Sequence, residues 1–127
     1  MRDTYRLEIC CDQVIDQDLI SKILGIKPSF HSEDWYLEAF YDDLSIGSLE
    51  DDKNIEEGLE PKSHISDFLD LLEGKYQQLA EIGVRREDIT VWKYYEYDGQ
   101  CNMEFHPDET KRLGENGIVL CITCWES

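Results

Sequence analysis

The segment Ile89-Thr90-Val91-Trp92-Lys93-Tyr94-Tyr95-Glu96-Tyr97 constrains this chain more than any other. It is rich in β-branched and aromatic residues, which suit a pleated surface better than a helix. Side chains alternate along a strand, so Val91 and Lys93 face one way and Trp92 and Tyr94 the other. A sheet is required, and both of its faces must accommodate large side chains.

Other segments supply partners for this strand. Residues 4–11, TYRLEICC, place Tyr5, Leu7, Ile9 and Cys11 on one face if extended. Residues 34–40, DWYLEAF, set Trp35, Leu37 and Ala39 against Tyr36, Glu38 and Phe40. Asp98-Gly99 is a hairpin signal, and it predicts a further strand over QCNMEF, residues 100–105. The run GIVLCITCW, residues 117–125, predicts the last strand.

Three helices are expected between them. Asp16 is placed as an N-cap, with Ile15 and Ile20 as a hydrophobic staple, and QDLISKIL stops at Gly25 before Pro28. The longest helix is predicted over about 64–82, capped by Ser63. Ile65, Phe68, Leu69, Leu72, Tyr76, Leu79 and Ile82 form its apolar stripe, and Gly83 follows it. Gly74 inside that stripe costs ~1 kcal/mol relative to Ala. Pro107 opens a short helix, capped by His106 and closed by Gly114. Gly25, Gly83 and Gly114 are each expected at positive φ.

The order is β-α-β-α-β-β-α-β. It predicts one two-layer α+β domain over residues 1–127. Its sheet is mixed, mostly antiparallel and of about five strands, with the helices on one face. Ile118, Leu120 and Ile122 are expected to face the helices with Leu7, Ile9, Ile89 and Val91. The opposite face would then collect Trp92, Tyr94 and Trp125, joined by Tyr36 and Phe40. An open face normally carries polar residues. An aromatic one is a candidate interface, because Trp and Tyr anchor binding hot spots.

A second candidate is the stretch at about 41–62, which has no clean period and contains Gly47, Gly58 and Pro61. It reads as a long loop. Between Asp42 and Glu60, the acids Asp42, Asp43, Glu50, Asp51, Asp52, Glu56, Glu57 and Glu60 face a single base, Lys53, leaving a formal −7. The ligand register of a calcium-binding helix-loop-helix is absent. An anionic docking surface for a basic protein is the functional reading, and a solvated loop is the plain one.

Charge over the whole chain points the same way. Its 29 Asp and Glu against 12 Lys and Arg give a formal net charge of −17. Nucleic acid binding needs bases to neutralise phosphates, and an anionic membrane would repel the chain. Cations or basic protein surfaces are the favoured partners. No signal peptide and no membrane span are expected, and five cysteines without a secretory leader point to reduced thiols in the cytoplasm.

The remaining motifs carry little chemistry. Cys121-Ile122-Thr123-Cys124 lies in a strand, where positions i and i+3 point to opposite faces, and no second pair completes a zinc site. It reads as buried or half-buried structural cysteines, and Cys10-Cys11 likewise. His31, His64 and His106 read as separate surface histidines; His31 lies near Glu33 and Asp34. No nucleophile elbow or phosphate loop occurs. No catalytic residue, metal or cofactor is therefore assigned.

Leu24-Gly25-Ile26-Lys27-Pro28, Trp35-x-Leu37-Glu38, His64 through Leu72, and the closing strand–Pro107–helix–Gly114–strand unit resemble a bacterial family known as domain of unknown function 4279. The resemblance spans most of the chain. It departs between Pro28 and Trp35, where members usually carry a longer basic or glycine-containing insert. The resemblance implies a small α+β domain with no established catalytic residues, and some relatives look like immunity proteins encoded beside bacterial toxins.

These readings converge on a non-enzymatic binding protein, an immunity protein that neutralises a cognate toxin by occluding a basic surface or active site. The alternative is a small enzyme or ligand-binding domain with a carboxylate-lined pocket.

Overall fold

The computed structural model describes residues 2–29, 34–40 and 64–126. The chain runs β1 (Arg2–Ile9), α1 (Gln17–Leu24), β2 (Trp35–Phe40), α2 (Ile65–Leu72), α3 (Tyr76–Glu81), a 3₁₀ turn (Arg86–Asp88), β3 (Ile89–Tyr97), α4 (Pro107–Asn116) and β4 (Val119–Glu126). The architecture is α+β, with a four-stranded mixed sheet in the order β2-β1-β3-β4.

β1 lies between two antiparallel partners. Leu7 sits opposite Leu37 on β2 and Val91 on β3, and Ile9 sits opposite Trp35 and Ile89. β3 and β4 run parallel, joined through α4, with Val91 opposite Leu120. This register places Tyr5, Leu7, Ile9, Trp35, Leu37, Ala39, Ile89 and Val91 on one face. All of them enter a single core with Ile20, Leu24, Ile65, Phe68, Leu69, Leu72, Leu79 and Leu113 of the helices. One apolar parity per strand thus meets one apolar stripe per helix.

Among the described residues, four strands replace the five expected from the sequence. The Asp98-Gly99 turn does form, with Gly99 at φ 77° and a bridge between Asp98 and Gln100. Residues 101–106 do not continue it as a strand. The reason is topological: a hairpin partner would need an edge of β3, and β1 and β4 occupy both.

The long helix predicted over 64–82 is two helices. Gly74 takes φ 83° and breaks the run after Leu72. The apolar stripe nevertheless continues across the break, with Leu79 fully buried and Tyr76 and Ile82 packed against the core. Ser63, the expected cap, lies outside the described residues, and His64 occupies the N-cap position of α2.

The cap of α1 forms as the sequence predicts. Asp16 Oδ1 accepts from the Asp18 N–H at 2.9 Å, and Gly25 ends the helix at φ 76°. Trp35 Nε1 donates to Ser21 Oγ at 2.9 Å, which ties β2 to that helix. Gly83 also has positive φ, whereas Gly114 does not. α4 runs through Gly114 to Asn116 and ends at Gly117, at φ 69°.

Asn116 accounts for the extra turn. Its Nδ2 donates to the Arg112 carbonyl at 2.9 Å and to Glu73 Oε2 at 2.8 Å, and its Oδ1 accepts from Tyr76 Oη at 2.6 Å. Arg112 adds a two-nitrogen clamp on Glu73, at 3.0 and 2.7 Å, and a bond to Asp70. This polar lattice locks the α2–α3 corner to α4.

Candidate functional site

The second parity of the strands forms the other face of the sheet, and no described helix or strand covers it. Its centre is Arg6 on β1. The Arg6 guanidinium lies 4.3 Å from the Tyr36 ring centroid and 5.3 Å from that of Tyr94. Arg6 Nη2 donates to Glu38 Oε2 at 2.7 Å, while Arg6 Nε is buried without a hydrogen-bond partner. Burial works against the Arg6 charge. The Glu38 bond and the oxygens of Tyr94 and Tyr36 outweigh it, so its pKa stands above the ordinary value. Cations over aromatic rings are worth more where water is excluded.

Trp92 extends this cluster. Its ring stacks on Tyr94 with centroids 5.7 Å apart and planes 12° apart, and its Nε1 donates to Glu8 Oε1 at 3.1 Å. Burial pushes the Tyr94 hydroxyl pKa up, against the pull of Arg6. Trp92, Tyr94 and Arg6 are half-buried and Tyr36 is buried. Trp125 shares the face from β4, where it sits opposite Glu96, one pleat beyond Tyr94 and its partner Thr123. It is 41% exposed. The face is therefore aromatic in the middle and acidic around it, with Glu8, Glu38 and Glu96 of the same parity.

The structure thus bears out the predicted face of Trp92, Tyr94 and Trp125. The other half of the expected site lies outside the described residues: Asp42, Asp43, Glu50, Asp51, Asp52, Glu56, Glu57 and Glu60, with the Phe40 side chain and His31. Ile118 enters the core and Leu120 packs against it, as expected. Ile122 has the same helix-side parity as Leu120, as expected, but is 43% exposed. Its neighbour on β3 is Lys93, so the apolar layer ends there.

A polar cluster on the helix side has no counterpart in the sequence reading. Lys93 is buried and its Nζ donates to Tyr5 Oη at 2.7 Å. The rings of Tyr5, Tyr95 and Phe105 lie 4.7, 5.7 and 5.7 Å from that nitrogen. The Tyr5 ring meets His64 edge-on at 5.7 Å. His64 is fully buried rather than superficial, and its Nδ1 lies 2.9 Å from Asp67 Oδ2. The alternation of β3 already sends Lys93 inward beside Val91. Nothing local in the sequence marks His64, whose burial depends on where α2 lands on β1. His106 holds the N-cap position of α4, but its backbone oxygen, not its ring, bonds the first turn.

The cysteines divide. Cys121 and Cys124 point to opposite faces of β4, as their spacing requires, but Cys124 and Cys10 are exposed rather than buried. Burial, then the Asp88 carboxylate, pushes the Cys11 thiol pKa up to about 11. Burial also raises the Cys10 and Cys101 thiols. Raised values keep thiols protonated and poorly nucleophilic. Among the described residues, no three His, Cys, Asp or Glu side chains gather as a metal site, and no helix is long and apolar enough to cross a membrane.

No family model, curated protein or solved structure matches the chain.

Proposed function

We propose that this chain is a non-enzymatic protein-binding protein, an immunity protein of a bacterial cell that neutralises a cognate toxin by covering a basic surface. The open sheet face carries the proposal. Trp92, Tyr94, Tyr36 and Arg6 form a prearranged aromatic platform with glutamates around it. Side chains already held in place lose little entropy on binding, and aromatic anchors dominate interface energetics. The net charge of −17 favours a basic partner and speeds its encounter. The acids from Asp42 to Glu60 would add to that steering, and Trp125 would extend the platform along β4. The resemblance to domain of unknown function 4279 agrees with this role.

The test is co-expression with a neighbouring reading frame, should one encode a basic C-terminal domain. The parent chain should protect the host from that domain. Trp92→Ala with Tyr94→Ala should weaken binding at least tenfold in a chain that stays folded by circular dichroism. Reversing Asp51, Asp52, Glu56 and Glu57 together should slow association and reduce its salt dependence. Full protection by both variants would dismiss the role of both surfaces.

The alternative reading is a ligand-binding domain or small enzyme. The buried Lys93, Tyr5 and His64, with the half-buried Asp67, favour it, because titratable groups gathered away from water are typical of functional sites. A folded Lys93→Met variant that still protects would count against this second reading.

A further inference from the structure

β4 is the last strand of the sheet, and among the described residues no strand pairs with its outer edge. Val119 is 53% exposed, Ile122 43% and Trp125 41%. Among the described residues, the other large apolar side chains exposed to this degree are Val14 and Leu19, which lie elsewhere. Edge strands normally carry Lys, Pro or inward charges that prevent pairing with another chain. β4 carries neither Lys nor Pro, and its single charged residue is the terminal Glu126.

We infer that the outer edge of β4 pairs with β4 of a second copy of this chain, antiparallel, about a two-fold axis through Ile122. The register follows from the pleat. In a two-fold pair the open faces of both copies lie on the same side, so opposed residues must share parity. An axis through Ile122 satisfies this and sets Val119 opposite Trp125 at both ends, with Ile122 opposite itself. Every exposed apolar side chain of the strand then meets another.

Charge fits the same register. Glu126 falls opposite Ile118, so no carboxylate faces its own copy. A basic segment would find no carboxylate on this strand before Glu126, which argues for a second copy as the occupant. The product is a continuous eight-stranded sheet, with both Trp92–Tyr94 platforms on one side. The two copies repel at long range, so the pair should tighten as salt screens that repulsion.

Sedimentation of the full chain over a concentration series, at about 0.02 M and about 0.5 M salt, tests this. A reversible dimer, more populated at the higher salt, is expected. Val119→Glu with Trp125→Glu opposes like charges at both ends and should weaken the dimer at least tenfold. Val119→Lys with Trp125→Glu opposes unlike charges and should restore it. A parent chain that stays monomeric throughout overturns the inference. So does a dimer indifferent to the first pair, or one that the second pair fails to rescue.

Amide hydrogen exchange on the parent needs no variant. Protection of β4 should rise with the chain's own concentration. Full protection already in the dilute monomer would mean that a segment of the same chain holds the edge. Protection that rises only on adding an oligolysine peptide would give the edge to a basic partner. Either outcome overturns self-pairing.

Discussion

Lys93 and Glu73 show how much a single side chain depends on its surroundings. Lys93 holds its ammonium 2.7 Å from the Tyr5 hydroxyl, inside a ring of aromatics. Lys93→Met removes one member of a buried polar pair and should lower stability by about 2 kcal/mol, measured by urea unfolding. Glu73 is exposed, yet the bonds from Arg112 and Asn116 hold its pKa at about 2, below the ordinary 4.5. A depressed carboxyl pKa stabilises the fold above the unfolded value and loses that effect as pH falls. The parent should therefore exceed Glu73→Gln in thermal midpoint near neutral pH, and the gap should close between pH 4.5 and about 2. A gap unchanged across that window would remove Glu73 from the acid response. Alternation alone predicts the inward side of Lys93. It cannot predict Glu73, whose partners lie 39 and 43 residues away.

Two glycines separate local sequence signals from tertiary decisions at the level of the elements. Gly74 and Gly114 both have open space around an added Cβ. Gly74 sits at φ 83°, a conformation that L-residues adopt only at a cost, whereas Gly114 lies within α4 without positive φ. Gly74→Ala should destabilise by about 1 kcal/mol. Gly114→Ala should stabilise by roughly 0.5–1 kcal/mol through helix propensity. Opposite shifts in unfolding midpoint would confirm the pair, and a loss at Gly114 would show that its helical segment is not helical in solution. The strands β1, β2, β3 and β4 were legible because their alternation is strong, and so was the aromatic side of the sheet. The break at Gly74 was not, because the apolar stripe keeps its phase across it. The helix end was displaced from Gly114 to Gly117 because Asn116 finds partners on the α2–α3 corner. The missing hairpin strand has a global cause as well, since both edges of β3 are filled by distant segments.

Taken whole, the molecule sets a large like-signed charge against a modest apolar core. Self-repulsion at −17 should weaken it at low ionic strength. Its thermal midpoint should rise on going from about 0.01 M to about 0.5 M sodium chloride, most steeply below about 0.1 M, where the Debye length exceeds about 10 Å. A flat or falling response would mean that the charges are paired more completely than the net count implies. The centre of the sheet has a further consequence for how the chain is made. β1 pairs residues 2–9 with residues 89–96, so its second neighbour does not exist until about 80 further residues have been synthesised. At about 5–20 residues per second, β1 waits roughly 4–18 s for that neighbour. Through that interval one edge of an amphipathic strand stands open on the nascent chain, and folding is then governed by long-range closure rather than by local helices. The nascent protein is for those seconds a natural client for a chaperone that shields β1, and a ribosome stalled before Ile89 would release a chain without the means to fold.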